Sequence, residues 1–484
     1  MIKNTIKWQA LSSVVVFALS LVQLVILTRF LTLSDFGLVA IVMVVINISQ
    51  VLADLGMANY LVYRQKITVE LNSTVFWICL LSGGGLLMLL ILLSPLVASL
   101  YDKPEITNLI LISALSFIPI SLSAQMQARY VCDFRLNELA KFDIVSKSIG
   151  TVVAVLSAYS DFGAASIILG GLATSVIRCS TIWLYADKCW LPKLLFSYKD
   201  AKSAWNYGVY QIGTQLINQL RANLDTLLLG FFIGSAHLGA YSLAKQLVQK
   251  PSAFILPIVQ KISLPLLAAS QSNMEKMRLL VEKAHTYVVA LIIPPYILLC
   301  FLAEEVVLTM YGKDKAETSL FIIPLALFWM FRSLGGALVG SMSQGLGKTK
   351  IDFYWNLSVL GLYSLLCIVL APHGAFTLAW GLALLQLLLI NVIYLVFFKK
   401  LIEFKYSAYI YPILVFSGLS FLSILLGVGI VYNVSFYFND YIYIISVSIF
   451  SILFYYLACY KLQNNIISLP NPYFFINKIN FCNK

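Results

Sequence analysis

Five polar side chains recur along one apolar segment near the middle of the chain. Gln211, Gln215, Asn218, Arg221 and Asp225 follow one another at steps of four, three, three and four, so a helix places all five on one face. A polar face of that length would be very costly against lipid, and intramembrane charges generally face the protein interior or a water-filled cavity. The pattern therefore predicts a surface that binds a polar, charged ligand.

Further cations lie deep in other apolar segments, with few acids near them in the sequence. Lys245 and Gln249 share one face of the next segment, Lys250 lies on an adjacent face, and Arg332 falls in the middle of a later segment. A charge in the hydrocarbon costs about 2.5–3.5 kcal/mol on insertion scales. Several such cations together predict an anionic ligand.

Each charged candidate also has a purely structural interpretation. Arg221 and Asp225 are four residues apart and can neutralise each other within their helix. Asp54 lies near the cytoplasmic end of its segment, where a loop cation can pair with it. Arg29 and Lys147 are close enough to segment ends for their charged groups to reach the interface. We keep Arg29, Asp54 and Asp225 as candidate binding residues beside these alternatives.

Residues for catalysis or metal binding are not grouped in this sequence. The eight Cys form no CxxC pair, the three His are isolated, and Gly347–Lys350 (GKTK) lacks the upstream glycine spacing of a phosphate-binding loop. We therefore expect no enzymatic activity, no metal and no cofactor.

The elements that must position these residues are membrane helices. Hydrophobic residues make up 60% of the 484 residues and charged residues 11%, far below the charge of a soluble domain. A bilayer core of about 30 Å needs roughly 20 helical residues. This length predicts about fourteen spans, centred near Phe17, Val45, Leu86, Ser116, Val152, Leu172, Asn218, Val248, Ile293, Trp329, Leu360, Ala383, Ser420 and Ile449.

The connecting segments alternate in charge. Cations are concentrated on one side of the predicted membrane, together with both ends of the chain, whereas the opposite loops hold only Lys103, Lys313 and Lys315. The positive-inside rule places both termini in the cytoplasm. The net charge of +12 is then mainly an orientation signal rather than a sign of nucleic-acid binding.

A weak internal repeat relates the two halves. An offset of 202 residues pairs Gly37 with Gly239, and both copies enter a helix immediately afterwards. Six spans separate the copies, so the halves have the same orientation. We predict an all-α polytopic membrane protein with two pseudo-symmetric six-helix lobes (1–186 and 207–400), a cytoplasmic amphipathic linker (187–206), and two additional helices with a tail (401–484).

Several stretches at helix junctions resemble one known family. They are LTRFLTLSDFGLVAIV near the start, ADLGMANYLV at Ala53–Val62, QARYVCDFRLNELAKFDI, LDTLLLGFFIGSAHLGAYSLAKQLV and QGLGKTK. Over about Met1 to Lys400 the chain resembles the polysaccharide and oligosaccharide-lipid flippases of the multidrug/oligosaccharidyl-lipid/polysaccharide exporter superfamily, in particular Wzx-like translocases of lipopolysaccharide (O-antigen) and exopolysaccharide repeat units.

The resemblance implies two six-helix bundles around a cavity that opens alternately to each side of the bacterial inner membrane. It also implies an undecaprenyl-pyrophosphate-linked oligosaccharide as the substrate, with membrane lipids and other surface-polysaccharide assembly proteins as partners. We expect the pyrophosphate at Arg221, Lys245, Lys250 and Arg332. The uncharged polar side chains, among them Gln215, Asn218 and Gln249, suit sugar hydroxyls.

Two rival functions are open at this point. A cation or drug antiporter of the same superfamily needs a cavity carboxylate, but the first helix has none and Asp225 lies beside Arg221. A membrane glycan polymerase would be expected to have a large outward loop, and the outward loops predicted here are short.

Overall fold

The computed structural model describes residues 2–54, 60–61, 67–268, 270–271, 273–432 and 440–465, and within these ranges the secondary structure is helical, with no strand. The chain divides into two compact units. Unit 1 comprises Met1–Leu243 and Asn356–Leu378, and unit 2 comprises Ala244–Trp355 and Ala379–Lys484.

The helices of unit 1 run from the start of the chain. They are α1 (Ile2–Phe30), α2 (Leu33–Asp54), α3 (Val69–Leu100), α4 (Glu105–Ala114), α5 (Phe117–Cys132), α6 (Leu136–Tyr159), α7 (Ala165–Leu184) and α8 (Tyr198–Phe232). The next helix, α9 (Ser235–Ala268), begins in unit 1 and continues into unit 2. It remains helical through Pro251 and Pro257, which membrane helices tolerate when neighbouring groups satisfy the freed carbonyls.

The remaining helices belong wholly or partly to unit 2. They are α10 (Met274–Phe301), α11 (Ala303–Tyr311), α12 (Ser319–Gly336), α13 (Val339–Gly345), α14 (Thr349–Leu370), α15 (Ala375–Ile393), α16 (Tyr406–Tyr432) and α17 (Asp440–Asn465). A π-helical segment, Tyr394–Lys399, continues α15. The end of α14 and the start of α15 lie in unit 1.

Eleven helical segments among the described residues are long and apolar enough to cross a membrane. The other three predicted spans are α6, α8 and α9, which are helices of 24, 35 and 34 residues. Each exceeds the roughly 20 residues that a bilayer requires. They are not among the eleven segments that meet the criteria of length and composition, so the count of fourteen stays a prediction.

The repeated glycines lie at a close crossing of α2 and α9. A Cβ atom on Gly37 would lie 1.8 Å from the carbonyl oxygen of Ser235, and a Cβ on Gly239 would lie 1.8 Å from that of Leu33. The Ser34 and Ser235 hydroxyls are 2.8 Å apart at the same crossing. Since Leu33 and Ser235 are also related by the offset of 202, the two halves contact each other reciprocally here.

The prediction of an amphipathic helix over 187–206 is wrong for the first part of this range. A short 3-10 turn covers Lys188–Trp190, the chain then continues without a helix, and α8 begins only at Tyr198. Polar side chains in the first turns of α3 bind this stretch by its backbone. Asn72 donates to Trp190 O (2.9 Å), Ser73 accepts from Lys193 N (2.9 Å), Trp77 donates to Lys193 O (3.0 Å), and Thr74 accepts from Ser197 N (2.9 Å).

Arg135 fixes the start of the same linker. It forms ion pairs with Glu138 (2.6 Å) and Asp187 (2.8 Å), and its guanidinium lies 5.1 Å from the ring centre of the buried Trp190. The hydrogen bond with Glu138 is the main cause that raises the pKa of Arg135. The first residues of the linker are therefore attached to unit 1 through their side chains. The following residues are attached through hydrogen bonds to their backbone.

Candidate functional site

The charged pair of α8 bonds to two other helices of unit 1. Arg221 Nη1 donates to Asn356 Oδ1 on α14 at 3.0 Å. The Asp225 side chain is buried, and its carboxylate accepts from the Tyr241 hydroxyl on α9 at 2.7 Å and from Thr226 Oγ1 at 3.4 Å. Both groups therefore help to join helices, in addition to lying four residues apart on α8.

The remainder of the α8 stripe is more accessible. Asn218 is exposed and Gln215 is half-buried, whereas the side chain of Gln211 lies outside the described residues. Accessibility therefore falls along the stripe from Asn218 to Asp225. Asn218 and Gln215 remain available to a ligand, whereas Asp225 is already satisfied within unit 1.

Two of the predicted cations lie on the part of α9 that belongs to unit 2. Lys245 is 9% exposed, and Gln249 and Lys250 are half-buried. The backbone carbonyl of Gln249 accepts from Ser252 Oγ at 3.0 Å. No described residue forms a hydrogen bond or ion pair with the ammonium of Lys250, which lies near the midpoint of α9.

Arg332 lies near the middle of the membrane segment Lys313–Gly345. It is half-buried, its guanidinium carbon lies 4.9 Å from the ring centre of Trp329, and no described carboxylate pairs with it. The next residue, Ser333, lies beside the buried hydroxyl of Tyr296 on α10, as does Ser252 of α9. The helices that carry Lys250 and Arg332 therefore meet at Tyr296.

The structure divides the predicted pyrophosphate group between the units. Lys245, Lys250 and Arg332 belong to unit 2 and Arg221 to unit 1, so a single group of four cations stays a prediction. Arg29 is exposed in the last turn of α1. Asp54 ends α2, and its side chain lies outside the described residues.

The weaker polar stripe of α1 has a packing role in its N-terminal half. Gln9 Nε2 donates to the carbonyl of Leu136 at 2.8 Å, and Ser12 Oγ donates to that of Ala140 at 3.0 Å. Both acceptors lie on α6. Gln23, farther along α1, contacts the side chains of Lys147 and Thr151 instead of backbone.

Unit 1 contains a second group of polar side chains, which was not predicted from the sequence. Lys147 Nζ donates to Gln23 Oε1 at 2.6 Å, whereas Arg178 Nε on α7 donates to Asp143 Oδ1 at 2.8 Å. Asp143 and Lys147 are one helical turn apart on α6. That spacing is visible in the sequence, but the contacts with Gln23 and Arg178 depend on how distant segments pack, and the position of Lys147 near a segment end favoured an interfacial interpretation.

These arrangements are suited to binding rather than to catalysis. No group of three or more His, Cys, Asp or Glu side chains that could hold a metal ion occurs within the described ranges. The accessible groups are ammonium, guanidinium, amide and hydroxyl groups, which bind anions and hydroxyl-rich molecules through hydrogen bonds.

Comparison with known proteins identifies the family of this chain. Residues 26–319 match the family described as Polysaccharide biosynthesis protein. The chain is 30% identical to the amylovoran biosynthesis protein AmsL of Erwinia amylovora over 356 residues, covering 73% of this chain and 91% of that protein. It is 26% identical to the lipopolysaccharide biosynthesis protein WzxC of Escherichia coli K12 over 406 residues, covering 84% of this chain and 82% of that protein.

Among solved structures, the fold is similar to that of the lipid II flippase MurJ in an inward closed conformation. The TM-score is 0.78 and the match covers 95% of this chain and 99% of that one, although the sequences are only 16% identical. This likeness establishes the fold alone. Together with the sequence matches it confirms the resemblance found at the helix junctions. The chain belongs to the polysaccharide biosynthesis protein family, and AmsL and WzxC are similar to it in sequence.

Proposed function

We propose that this protein is a flippase that moves an undecaprenyl-pyrophosphate-linked oligosaccharide from the cytoplasmic to the outer leaflet of the bacterial inner membrane. Family membership supports translocation of a polysaccharide precursor, since similar proteins are named for amylovoran and lipopolysaccharide biosynthesis, and a protein of the same fold is named a lipid II flippase. The proposal includes the predicted fourteen spans with both termini in the cytoplasm.

The observation that carries the proposal is the state of Lys250 and Arg332. Lys250 lies near the midpoint of α9 and Arg332 near the middle of the membrane segment Lys313–Gly345. Both are half-buried, and no described acid neutralises either one. A cation at this depth facing lipid is costly. A water-accessible surface that receives an anionic headgroup removes that cost, and a pyrophosphate accepts strong hydrogen bonds from ammonium and guanidinium groups.

The membrane potential can supply the driving force for outward movement. An elementary charge crossing the membrane gains about 2.3 kcal/mol per 100 mV. An inside-negative potential drives negative charge outward, so a headgroup with about two negative charges gains roughly 5 kcal/mol per 100 mV when it moves to the outer side. This gain favours release on the outside without a coupled ion and without nucleotide hydrolysis.

Charge-neutralising variants test the role of the two cations. We expect Lys250→Gln and Arg332→Gln to reduce translocation at least tenfold while membrane insertion stays normal, because each removes a charge that the pyrophosphate needs. Translocation is measured as arrival of the lipid-linked oligosaccharide at the outer leaflet of cells that lack the chromosomal gene. Lys348→Gln, at an exposed position in a helix–helix turn, is the matched control. Full translocation in both variants would remove the pyrophosphate model.

Deletion of the gene distinguishes this function from the rival transporter. We expect the lipid-linked oligosaccharide to accumulate in the cytoplasmic leaflet and the surface glycan to be lost. Normal surface glycan, together with new sensitivity to cationic drugs, would instead favour an antiporter.

A further inference from the structure

Unit 1 contains a polar side-chain network that joins four of its helices and that the proposed pyrophosphate site does not include. We call it the α6 ladder. Asp143, Lys147 and Thr151 form its central row at successive helical turns of α6, and Gln23 of α1, Gln127 of α5 and Arg178 of α7 are the side chains that contact this row.

The contacts of the ladder run from one helix to the next. Arg178 donates two hydrogen bonds, from Nε to Asp143 Oδ1 (2.8 Å) and from Nη1 to Gln127 Oε1 (3.3 Å). Gln23 Oε1 accepts from Lys147 Nζ at 2.6 Å and from Thr151 Oγ1 at 3.2 Å. The central row covers eight residues at 1.5 Å each, or about 12 Å along the helix.

The ladder points away from the lipid-facing side of α6. That side is an apolar stripe of exposed residues, namely Val145 (45%), Ile149 (39%), Val152 (56%) and Leu156 (60%). With about 3.6 residues per turn, Asp143 and Lys147 lie on the opposite side of the helix from this stripe. The ladder therefore faces the interior of the protein.

The charged groups of the ladder are nevertheless not sealed in the core. The side chains of Arg178 and Asp143 are 33% and 36% exposed, and Lys147 and Gln23 are half-buried. Charged side chains within membrane helices face the bundle interior or a water-filled cavity. An interior face whose charges are one-third exposed is therefore accessible to water, and to a hydrophilic ligand that replaces the water.

We propose that the α6 ladder binds the sugar part of the transported headgroup and contributes to its selection. This inference rests on the proposed flippase function. Sugar hydroxyls both donate and accept hydrogen bonds, and the ladder offers both kinds of partner: amides at the half-buried Gln23 and Gln127, a carboxylate, and two cations. Thr151 is buried, and its hydroxyl holds Gln23 in position.

The composition of the ladder favours sugar over pyrophosphate. Asp143 already pairs with Arg178, and a carboxylate in the binding surface repels a phosphate. By contrast, no described carboxylate pairs with Lys250 or Arg332 in unit 2.

The test compares the binding of two lipids to the purified full-length protein in lipid nanodiscs. One is the lipid-linked oligosaccharide extracted from the gene-deletion strain, and the other is undecaprenyl pyrophosphate, which has no sugar. The variants are Thr151→Val, which removes one hydroxyl and keeps the shape, and Lys147→Gln, which removes the charge. Ser180→Ala is the control, because that exposed hydroxyl on α7 bonds only to its own helix, at Val176 O (2.9 Å).

We expect each ladder variant to weaken binding of the sugar-bearing lipid about five- to tenfold, the effect of losing one hydrogen bond or charge contact. Binding of undecaprenyl pyrophosphate should stay within about twofold of wild type, as should both affinities of the control. Unchanged binding of the sugar-bearing lipid in both variants would overturn the assignment, and so would an equal loss for both lipids. If the wild-type protein bound neither lipid, the flippase function would fail as well.

Discussion

Tyr241 is the residue on which the burial of Asp225 depends. Its hydroxyl, on α9, donates at 2.7 Å to a carboxylate that is 5% exposed on α8. The sequence correctly placed Asp225 and Arg221 on one helical face, because helical spacing is a local property. It did not identify Tyr241 or Asn356 as partners, since these contacts depend on how distant segments pack.

Removal of the Tyr241 hydroxyl should destabilise unit 1. A hydrogen bond to a charged group contributes about 1.5–3 kcal/mol, and a buried acceptor that loses its donor also costs free energy. We therefore expect Tyr241→Phe to lower the free energy of unfolding by about 1–3 kcal/mol, measured as a lower Tm of the purified protein. Tyr456→Phe, at a residue that is 65% exposed, should leave the Tm unchanged. Equal Tm values for the two variants would contradict this role.

At the scale of helices, the crossing of α2 and α9 was partly predictable. The repeat paired Gly37 with Gly239, and a glycine that recurs at the start of a helix is typical of close packing. The reciprocal contact itself, each glycine against the first residue of the other helix, was not visible in the sequence. It requires the two copies to lie next to each other, which no local pattern specifies.

Substitution of either glycine should disturb this crossing. A Cβ atom at 1.8 Å from a carbonyl oxygen cannot be accommodated without moving a backbone. We expect Gly37→Ala and Gly239→Ala each to cost about 1–3 kcal/mol, typical of overpacking, measured by thermal unfolding. Gly171→Ala, where an added Cβ meets nothing within 4 Å, is the control. A Tm as high for Gly37→Ala as for the control would show that α2 and α9 do not pack this closely.

For the whole molecule, hydropathy identified membrane helices well where they are uniformly apolar. Eleven of the fourteen predicted spans meet the criteria of length and composition among the described residues. The other three, α6, α8 and α9, contain the α6 ladder, the α8 stripe, Lys245 and Lys250. The candidate binding residues are not confined to these three helices, because Arg29 and Arg332 lie in segments that meet the criteria.

The predicted topology can be tested with two cysteine variants in a Cys189→Ser background. Lys103 lies in a loop predicted to face outward and Lys348 in a turn predicted to face the cytoplasm. Because a membrane-impermeant maleimide reaches only the outer side of intact cells, we expect it to label Lys103→Cys and to spare Lys348→Cys. Permeabilised cells provide the control, in which both should react. Labelling of Lys348→Cys in intact cells would place this turn on the outer side and contradict the predicted alternation of inward and outward loops.

The attachment of the linker to α3 has a consequence for how this chain tolerates sequence change. Between Trp190 and Ser197 the bonds reach backbone atoms, while Leu194 and Phe196 remain 89% and 59% exposed. The linker path is thus encoded mainly in Asn72, Ser73, Thr74 and Trp77, more than a hundred residues upstream. Substitutions at the exposed Leu194 and Phe196 should therefore leave the course of the linker unchanged, whereas substitutions in that short stretch of α3 should alter it.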